Sequence, residues 1–332
     1  MPLRDVSLTY TSLLTHRPEV AARARSAVLD VLAEETALRD AVVRLLTADG
    51  SQESAFRLLP YPIVGALGGE LDDALLVCVV SRLWWAGAES LDDLNDGEFD
   101  AATMGLSPAA ASLASTVLIT LLPQTVLERR QLPTQTRLGL ASELTNSSLR
   151  AASGQFDDVV ATPESCGWSQ VMRGYTGKSG APYSRDAAMA ARLSGAGALR
   201  TWRAFGGLFG VLRQLANDHE SLISGGDEDL ANSTPTLLLA SALEYASPSG
   251  RRELLALRTR AREDTDERRL LCDRLIEHAV TDSYRGRVNA VHHKLSDLWQ
   301  RLVPPSSDRD LVQWMIDCST EGTRLSRTET VG

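Results

Sequence analysis

The chain has 332 residues, 43% of them hydrophobic but only 5% aromatic, and a formal net charge of −9. That is ample apolar material for one large core, and the acidic balance argues against a nucleic-acid surface. Met1-Pro-Leu-Arg-Asp5 lacks an apolar signal core, and no uninterrupted apolar run nears the ~18 residues of a membrane span.

Ala, Leu and Arg recur throughout while alternating β-branched runs are nearly absent, which predicts an all-α protein. Two amphipathic helices are expected over 18–30 and 33–47, packed on the rest, with a turn at 48–53. Pro60 and Pro62 start the next helix. A long buried helix follows over 71–95, built on the run Ala74–Val80. Others are expected over 108–122 (ended by Pro123), 134–160, 168–178, 184–200, 202–223, 236–246, 249–280, 284–302 and 308–320. Pro163 marks a loop, and the Gly-bearing polar stretch 224–235 marks another. No repeat or linker separates two domains, so residues 1–332 are read as one. The four scattered cysteines, Cys78, Cys166, Cys272 and Cys318, have no metal-ligand spacing and suit free thiols in the cytoplasm.

The long helix ends in Leu91-Asp92-Asp93-Leu94-Asn95-Asp96. On a helix, positions 92 and 96 lie ~40° apart and position 93 lies ~100° from 92. Three carboxylates crowded at one helix end repel one another unless a cation neutralises them. Hard oxygen donors with no His or Cys nearby suit Mg²⁺, which usually bridges to a substrate phosphate. The competing reading is a solvated acidic helix end.

Further motifs follow in order: Gly154-Gln155-Phe156-Asp157-Asp158, Lys178-Ser179, Gln214-Leu-Ala-Asn217-Asp218-His-Glu-Ser221, then Asp229-Leu230 and Thr234-Pro-Thr236. Together with Asp92–Asp96 the series resembles the trans-isoprenyl diphosphate synthase (polyprenyl synthetase) family over roughly residues 50–320. The matched patterns are DDxxD, GQxxD, KT and FQxxDDxxD. The resemblance implies an isoprenoid-synthase helical bundle around a deep central pocket, Mg²⁺-dependent chemistry on an allylic prenyl diphosphate, and a homodimer. Ionising such a substrate needs cations at the oxygens as they gain charge. The resemblance implies Asp92 and Asp96 as metal ligands, with Asp93 as a ligand or a support to one. Lys178 would supply a fixed charge to the diphosphate, or else be a solvated lysine. Gln155 and Gln214 would orient a phosphate oxygen or a metal-bound water, or be satisfied core amides.

The departures are as informative as the matches. Where the family carries GKRLRP for isopentenyl diphosphate, this chain has Ala55-Phe56-Arg57-Leu58-Leu59-Pro60, so Arg57 alone remains. The family's His, seven residues before the first motif, is Trp85, and 97–107 contains no Arg or Lys. Losing two or three charge-assisted contacts, at about 1.5–3 kcal/mol each, should nearly abolish that site. In the second motif, Asn217 and Ser221 stand where Asp is expected and, four apart, share a helix face with neutral oxygens; Asp218 remains between them. This resembles the opening of the terpene-cyclase NSE pattern, whose final Glu position is Gly225 here, with Asp227 or Glu220 as substitutes; drift in a motif working through Asp218 is the other reading. Both departures point to a terpene cyclase acting on a C15 or C20 diphosphate. Prenyl transfer to a non-isopentenyl acceptor such as a peptide Trp, or residual elongation, is the alternative. Trp84 and Trp85 would then line the pocket floor, or simply pack the core, and Gly87 and Ala88 would keep the tunnel open. The basic His292-His293-Lys294 patch reads as a solvated face.

Overall fold

The computed structural model of the protein describes residues 3–48, 54–160, 166–224, 230 and 235–323. Every regular element among them is helical, as the composition requires. The helices are α1 (Leu3–Leu14), α2 (Arg17–Val31), α3 (Thr36–Thr47), α4 (Pro60–Ala66), α5 (Leu71–Asp96), α6 (Ala101–Met104), α7 (Pro108–Thr116), α8 (Leu122–Arg129) and α9 (Thr134–Val159). They continue with α10 (Trp168–Tyr175), α11 (Ala181–Leu193), α12 (Leu199–Ser224), α13 (Leu237–Tyr245), α14 (Pro248–Ala261), α15 (Thr265–Leu275), α16 (His278–Leu302) and α17 (Ser307–Gly322). The turn expected within 49–53, the Pro163 loop, and Gly225, Asp227, Asp229 and Thr234 lie outside the described residues, as do the side chains of Glu220 and Ser221.

The chain divides into two compact units. The first comprises Met1–Ser148, Pro182–Gly206 and Gln300–Val312; the second comprises Leu149–Ala181, Gly207–Trp299 and Gln313–Gly332.

In the first unit α5 is the hub, with α2, α3, α4, α7 and α8 packed against it. The reason lies in its sequence. Ala74 to Val80 are all buried, so this part of the helix is apolar around its whole circumference and needs neighbours on every side. Gly97 ends it in the left-handed conformation, at φ 78°, with its N–H on the Asp93 carbonyl. A Cβ on Gly87 would sit 2.7 Å from the Ser115 carbonyl. The smallness of Gly87 therefore lets α7 approach closely, which corrects the expectation that it widens a tunnel.

Pro123 does not stop its helix. A π-helical segment, Val117–Leu121, joins α7 to α8, and Pro123 falls in the first turn after it, where a missing N–H is tolerated. By length and composition alone, Leu71–Asp96 and Pro108–Arg129 could each span a membrane, which a search for uninterrupted apolar runs does not register. In the first, 67% of the most apolar window is buried inside the protein; in the second, 44%.

Two other boundaries differ from expectation. The break before α12 falls at 194–198 rather than near 201, because Gly195 and Ala198 adopt φ of 71° and 53°. The stretch 249–280 is two helices, α14 and α15, because Asp264 accepts the N–H groups of Asp266 and Glu267 and starts a new one.

In the second unit backbone meets backbone along a glycine seam. A Cβ on Gly154 of α9 would lie 2.9 Å from the Gly177 Cα, and one on Gly210 of α12 would lie 2.2 Å from the Ser179 carbonyl. Only glycine permits such contacts.

Candidate functional site

The first acidic motif sits on the last turn of α5. Asp92 is half-buried, while Asp93 and Asp96 are exposed. Beside them, with Asp93 in its wall, lies a cavity of about 270 Å³. Its α5 wall is a polar stripe, Arg82, Glu89, Ser90 and Asp93, spaced to share one side of the helix. Arg57 faces them, and Glu98 and Asp100 close the far side. Arg44 ties that side to α3 by donating to the Gly105 carbonyl at 2.8 Å.

Arg57 does not stand alone in this cavity. Its guanidinium forms an ion pair with Glu89 and lies over the Trp85 ring, 4.8 Å from the centroid. Trp85, in the position of the family's His, thus supports Arg57 from below. The Asp100 carboxylate accepts from the Thr103 hydroxyl and from the N–H groups of Thr103 and Ala102. These hydrogen bonds, that of the Thr103 side chain foremost, hold its pKa below the usual range.

Trp84 is 3% exposed. Its indole N–H donates to the Ser148 hydroxyl at 3.0 Å, Trp85 meets it edge-on, and the buried Arg185 guanidinium lies 5.0 Å from its ring centroid. Arg185 is held by Asp186 at 2.7 Å, and Asp186 also accepts from Ser81 at 2.6 Å. Ala88 is half-buried on α5.

The remaining motifs lie in the second unit. Lys178 and Ser179 sit in a π-helical turn, Thr176–Gly180, that continues α10 into α11. The helix expected to end at 178 therefore runs on, with Gly177 and Gly180 inside it. Those glycines serve the close contacts of the seam. Lys178 pairs with Asp158 of the GQxxD motif at 2.8 Å, both about a quarter exposed. Gln155 is half-buried one turn before it.

On α12, Asp218 is 5% exposed and both of its oxygens are engaged. The Tyr175 hydroxyl donates to one, and Gln214 donates to the other at 2.7 Å. Ser179 in turn donates to Gln214 at 2.5 Å, and the Leu237 N–H donates to the Tyr175 oxygen at 3.2 Å. Burial, then the Asp218 charge, push the Tyr175 phenol well above its ordinary pKa, so it stays a donor. Asn217 is exposed and accepts from Arg213 at 2.9 Å. Ser221 lies one turn further along α12.

The geometry therefore joins Lys178 to Asp158, Ser179 to Gln214, and Gln214 to Asp218 within the second unit. It also brings in residues that motif matching passed over. Tyr175 is 43 residues from Asp218, and no periodicity links them. Arg82, Glu89 and Ser90 did carry a signal, a polar stripe at helical spacing on an otherwise apolar helix.

Among the described residues no three His, Cys, Asp or Glu side chains converge to cage a metal. Mg²⁺ does not require such a cage. It keeps several waters and takes one or two carboxylates plus substrate phosphates, which the oxygen donors at the end of α5 fit in chemistry.

No protein-family model matches the sequence, and no curated protein is recognisably similar to it in sequence. Solved structures are similar in fold. Geranylgeranyl pyrophosphate synthetase from Pyrococcus horikoshii aligns with a TM-score of 0.81 at 18% identity, over 94% of this chain and 99% of its own. Polyprenyl synthetase from Streptomyces coelicolor aligns with a TM-score of 0.80 at 20% identity, over 93% and 99%. Geranylgeranyl pyrophosphate synthase from Corynebacterium glutamicum, solved with isoprenyl diphosphate and magnesium, aligns at 0.75 and 15% identity, over 92% and 99%. The chain has the all-α isoprenoid-synthase fold.

Proposed function

We propose that this chain is a divergent trans-isoprenyl diphosphate synthase relative that ionises an allylic diphosphate of C15 or C20 and closes the resulting cation on its own double bonds, as a class I terpene synthase. The observation that carries this is the charge of the cavity at Arg57. Two guanidinium groups there, Arg57 and Arg82, face four carboxylates, Glu89, Asp93, Glu98 and Asp100. An isopentenyl diphosphate anion would meet net repulsion where chain elongation needs it held.

When bound, Mg²⁺ would neutralise the diphosphate oxygens as the C–O bond breaks; the Corynebacterium protein of the same fold was solved with isoprenyl diphosphate and magnesium, which supports its presence here. Asp92, Asp93, Asp96, Asn217, Asp218 and Ser221 are the proposed ligand set. To hold the ion, Asp218 would have to give up a bond from Gln214 or Tyr175, which now engage both of its oxygens. Lys178 offers an ammonium to the diphosphate, positioned by Asp158. Gln155 and Gln214 orient phosphate oxygens or water. Trp85 and Ala88 would line the prenyl chain, with Trp84, 3% exposed, packed behind them; one face of the Trp85 ring is already covered by Arg57. The four free thiols agree with a reducing cytoplasm as the compartment.

Incubation with geranyl, farnesyl and geranylgeranyl diphosphates and Mg²⁺, with and without isopentenyl diphosphate, tests the reading. A hydrocarbon or terpene alcohol without added acceptor is the expected product; longer diphosphates would overturn it. Transfer to a non-isopentenyl acceptor is the second reading, favoured by the same acidic cavity, and would appear as a prenylated acceptor.

We also propose a homodimer. In Pro108–Arg129 the side chains of Leu113 and Leu121 are 68% and 59% exposed, an apolar face that a second copy would cover. Light scattering should give twice the chain mass, and Leu113→Glu with Leu121→Glu should give the single mass.

A further inference from the structure

Of the three ligands proposed on α12, Asn217 and Ser221 are neutral, so Asp218 brings the only negative charge. Whatever sets the availability of that carboxylate sets the metal affinity of the motif. We propose that Tyr175 is a positioning residue that competes with the ion for Asp218, so that α12 takes up metal only as the Tyr175 bond is given up. This rests on Asp218 being a metal ligand, as read above.

Tyr175 and Gln214 both donate to Asp218, and the two donors are held differently. Gln214 lies one turn away on the same helix, and its amide oxygen accepts from Ser179 at 2.5 Å. The helix itself keeps that pair together. Tyr175 reaches across from α10, and its bond lasts only while the two helices keep their places.

The surroundings of Tyr175 suit such an exchange. It is the last residue of α10, and the π-helical turn Thr176–Gly180 begins directly after it. Wide turns of this kind occur often at functional sites. The Tyr175 oxygen also accepts the Leu237 N–H at 3.2 Å, so the phenol keeps that partner when the carboxylate leaves. Asp218 is 5% exposed, so the ion does not simply add to a solvated oxygen. A phenol donor and Mg²⁺ draw on the same carboxylate charge, and removing the donor leaves more of it for the ion.

The test titrates the full chain with Mn²⁺, which takes the same oxygen ligands as Mg²⁺, with pyrophosphate equimolar to the protein. Free Mn²⁺ is read by electron paramagnetic resonance. No prenyl chain is present, so the outcome is separate from that of the cyclisation assay. Tyr175→Phe should tighten metal binding about tenfold, the order expected for one hydrogen bond to a charged group. A merely structural tyrosine would leave the affinity unchanged or weaken it. Tyr284→Phe is the control. Tyr284 is also buried within reach of the Asp218 charge, but its hydroxyl donates to the Leu215 carbonyl at 3.1 Å, and its loss should leave the affinity within twofold. In the unaltered protein, Mg²⁺ with pyrophosphate should shift buried tyrosine absorbance to shorter wavelength, as a phenol does on losing an anionic acceptor. That measurement stands even if a variant fails to fold. Unchanged or weaker binding in Tyr175→Phe, equal tightening in Tyr284→Phe, or no absorbance shift would each overturn the proposal. Absence of any metal binding by the unaltered protein would overturn it together with the metal-dependent function; binding without these changes overturns it alone.

Discussion

The last turns of α5 and of α12 both carry oxygen-bearing side chains four residues apart, yet they are built in opposite ways. At the end of α5, Asp93 and Asp96 are exposed and Asp92 is half-buried. On α12, Asp218 is buried and is held by a tyrosine hydroxyl and a glutamine amide, themselves fixed by Leu237 and Ser179. The first cluster faces solvent at a helix end. The second is stabilised by neutral donors before any cation arrives. With Asn217 and Ser221 neutral on either side, Asp218 carries a charge met by the Tyr175 and Gln214 donors.

The contrast can be broken most sharply at α5. Asp92→Ala should lower kcat/KM for the allylic diphosphate about 10³-fold, the size expected for removing one element of charge stabilisation. Its folding stability should change by no more than about 1 kcal/mol, since Asp92 is only half-buried at a helix end. Steady-state product assays and urea unfolding check the two halves. A large loss of stability would mean that this helix end is also pre-built.

On α12 the balance should reverse. Tyr175→Phe removes a donor from a buried carboxylate and an acceptor from the Leu237 N–H, leaving both without that bond. The expected cost is about 3 kcal/mol of folding stability by urea denaturation. An unaltered unfolding curve would remove the distinction between the two regions.

The smallest effect concerns pH. Burial, followed by the Asp218 charge, pushes the phenols of Tyr175 and Tyr284 well above their ordinary range. The folded chain therefore holds these protons more tightly than the unfolded one. The stability this confers is complete below the unfolded phenol pKa of about 10 and is lost as pH rises towards the folded values. Above pH 10 each phenol should contribute a decline of about 1.4 kcal/mol per pH unit. In the Tyr175→Phe variant the slope between pH 10 and 11 should lessen by one such increment.

Much of this architecture was readable from residues alone. The Ala74–Val80 run announced a central helix, and Asp264 and Gly195 held boundary information that coarse periodicity overlooked. The π-helical turns were not readable, because a one-residue shift of hydrogen bonding leaves the same apolar pattern. The acidic motifs were legible as chemistry. Their surroundings were not, since the partners of Asp218 and Lys178 come from distant segments. The stripe of Arg82, Glu89, Ser90 and Asp93 lay in plain view, but a search for missing cations looked past the carboxylates standing in their place.

The glycine seam bears on redesign. Where Gly154 meets Gly177 and Gly210 meets Ser179, no side chain lies between the helices to yield. Lys178 and Ser179 ride on that incompressible contact, so even one added methyl would displace the dipeptide rather than reshape its surroundings. Redesign should therefore leave this line untouched and work on walls built from interlocking side chains, where volume can be traded.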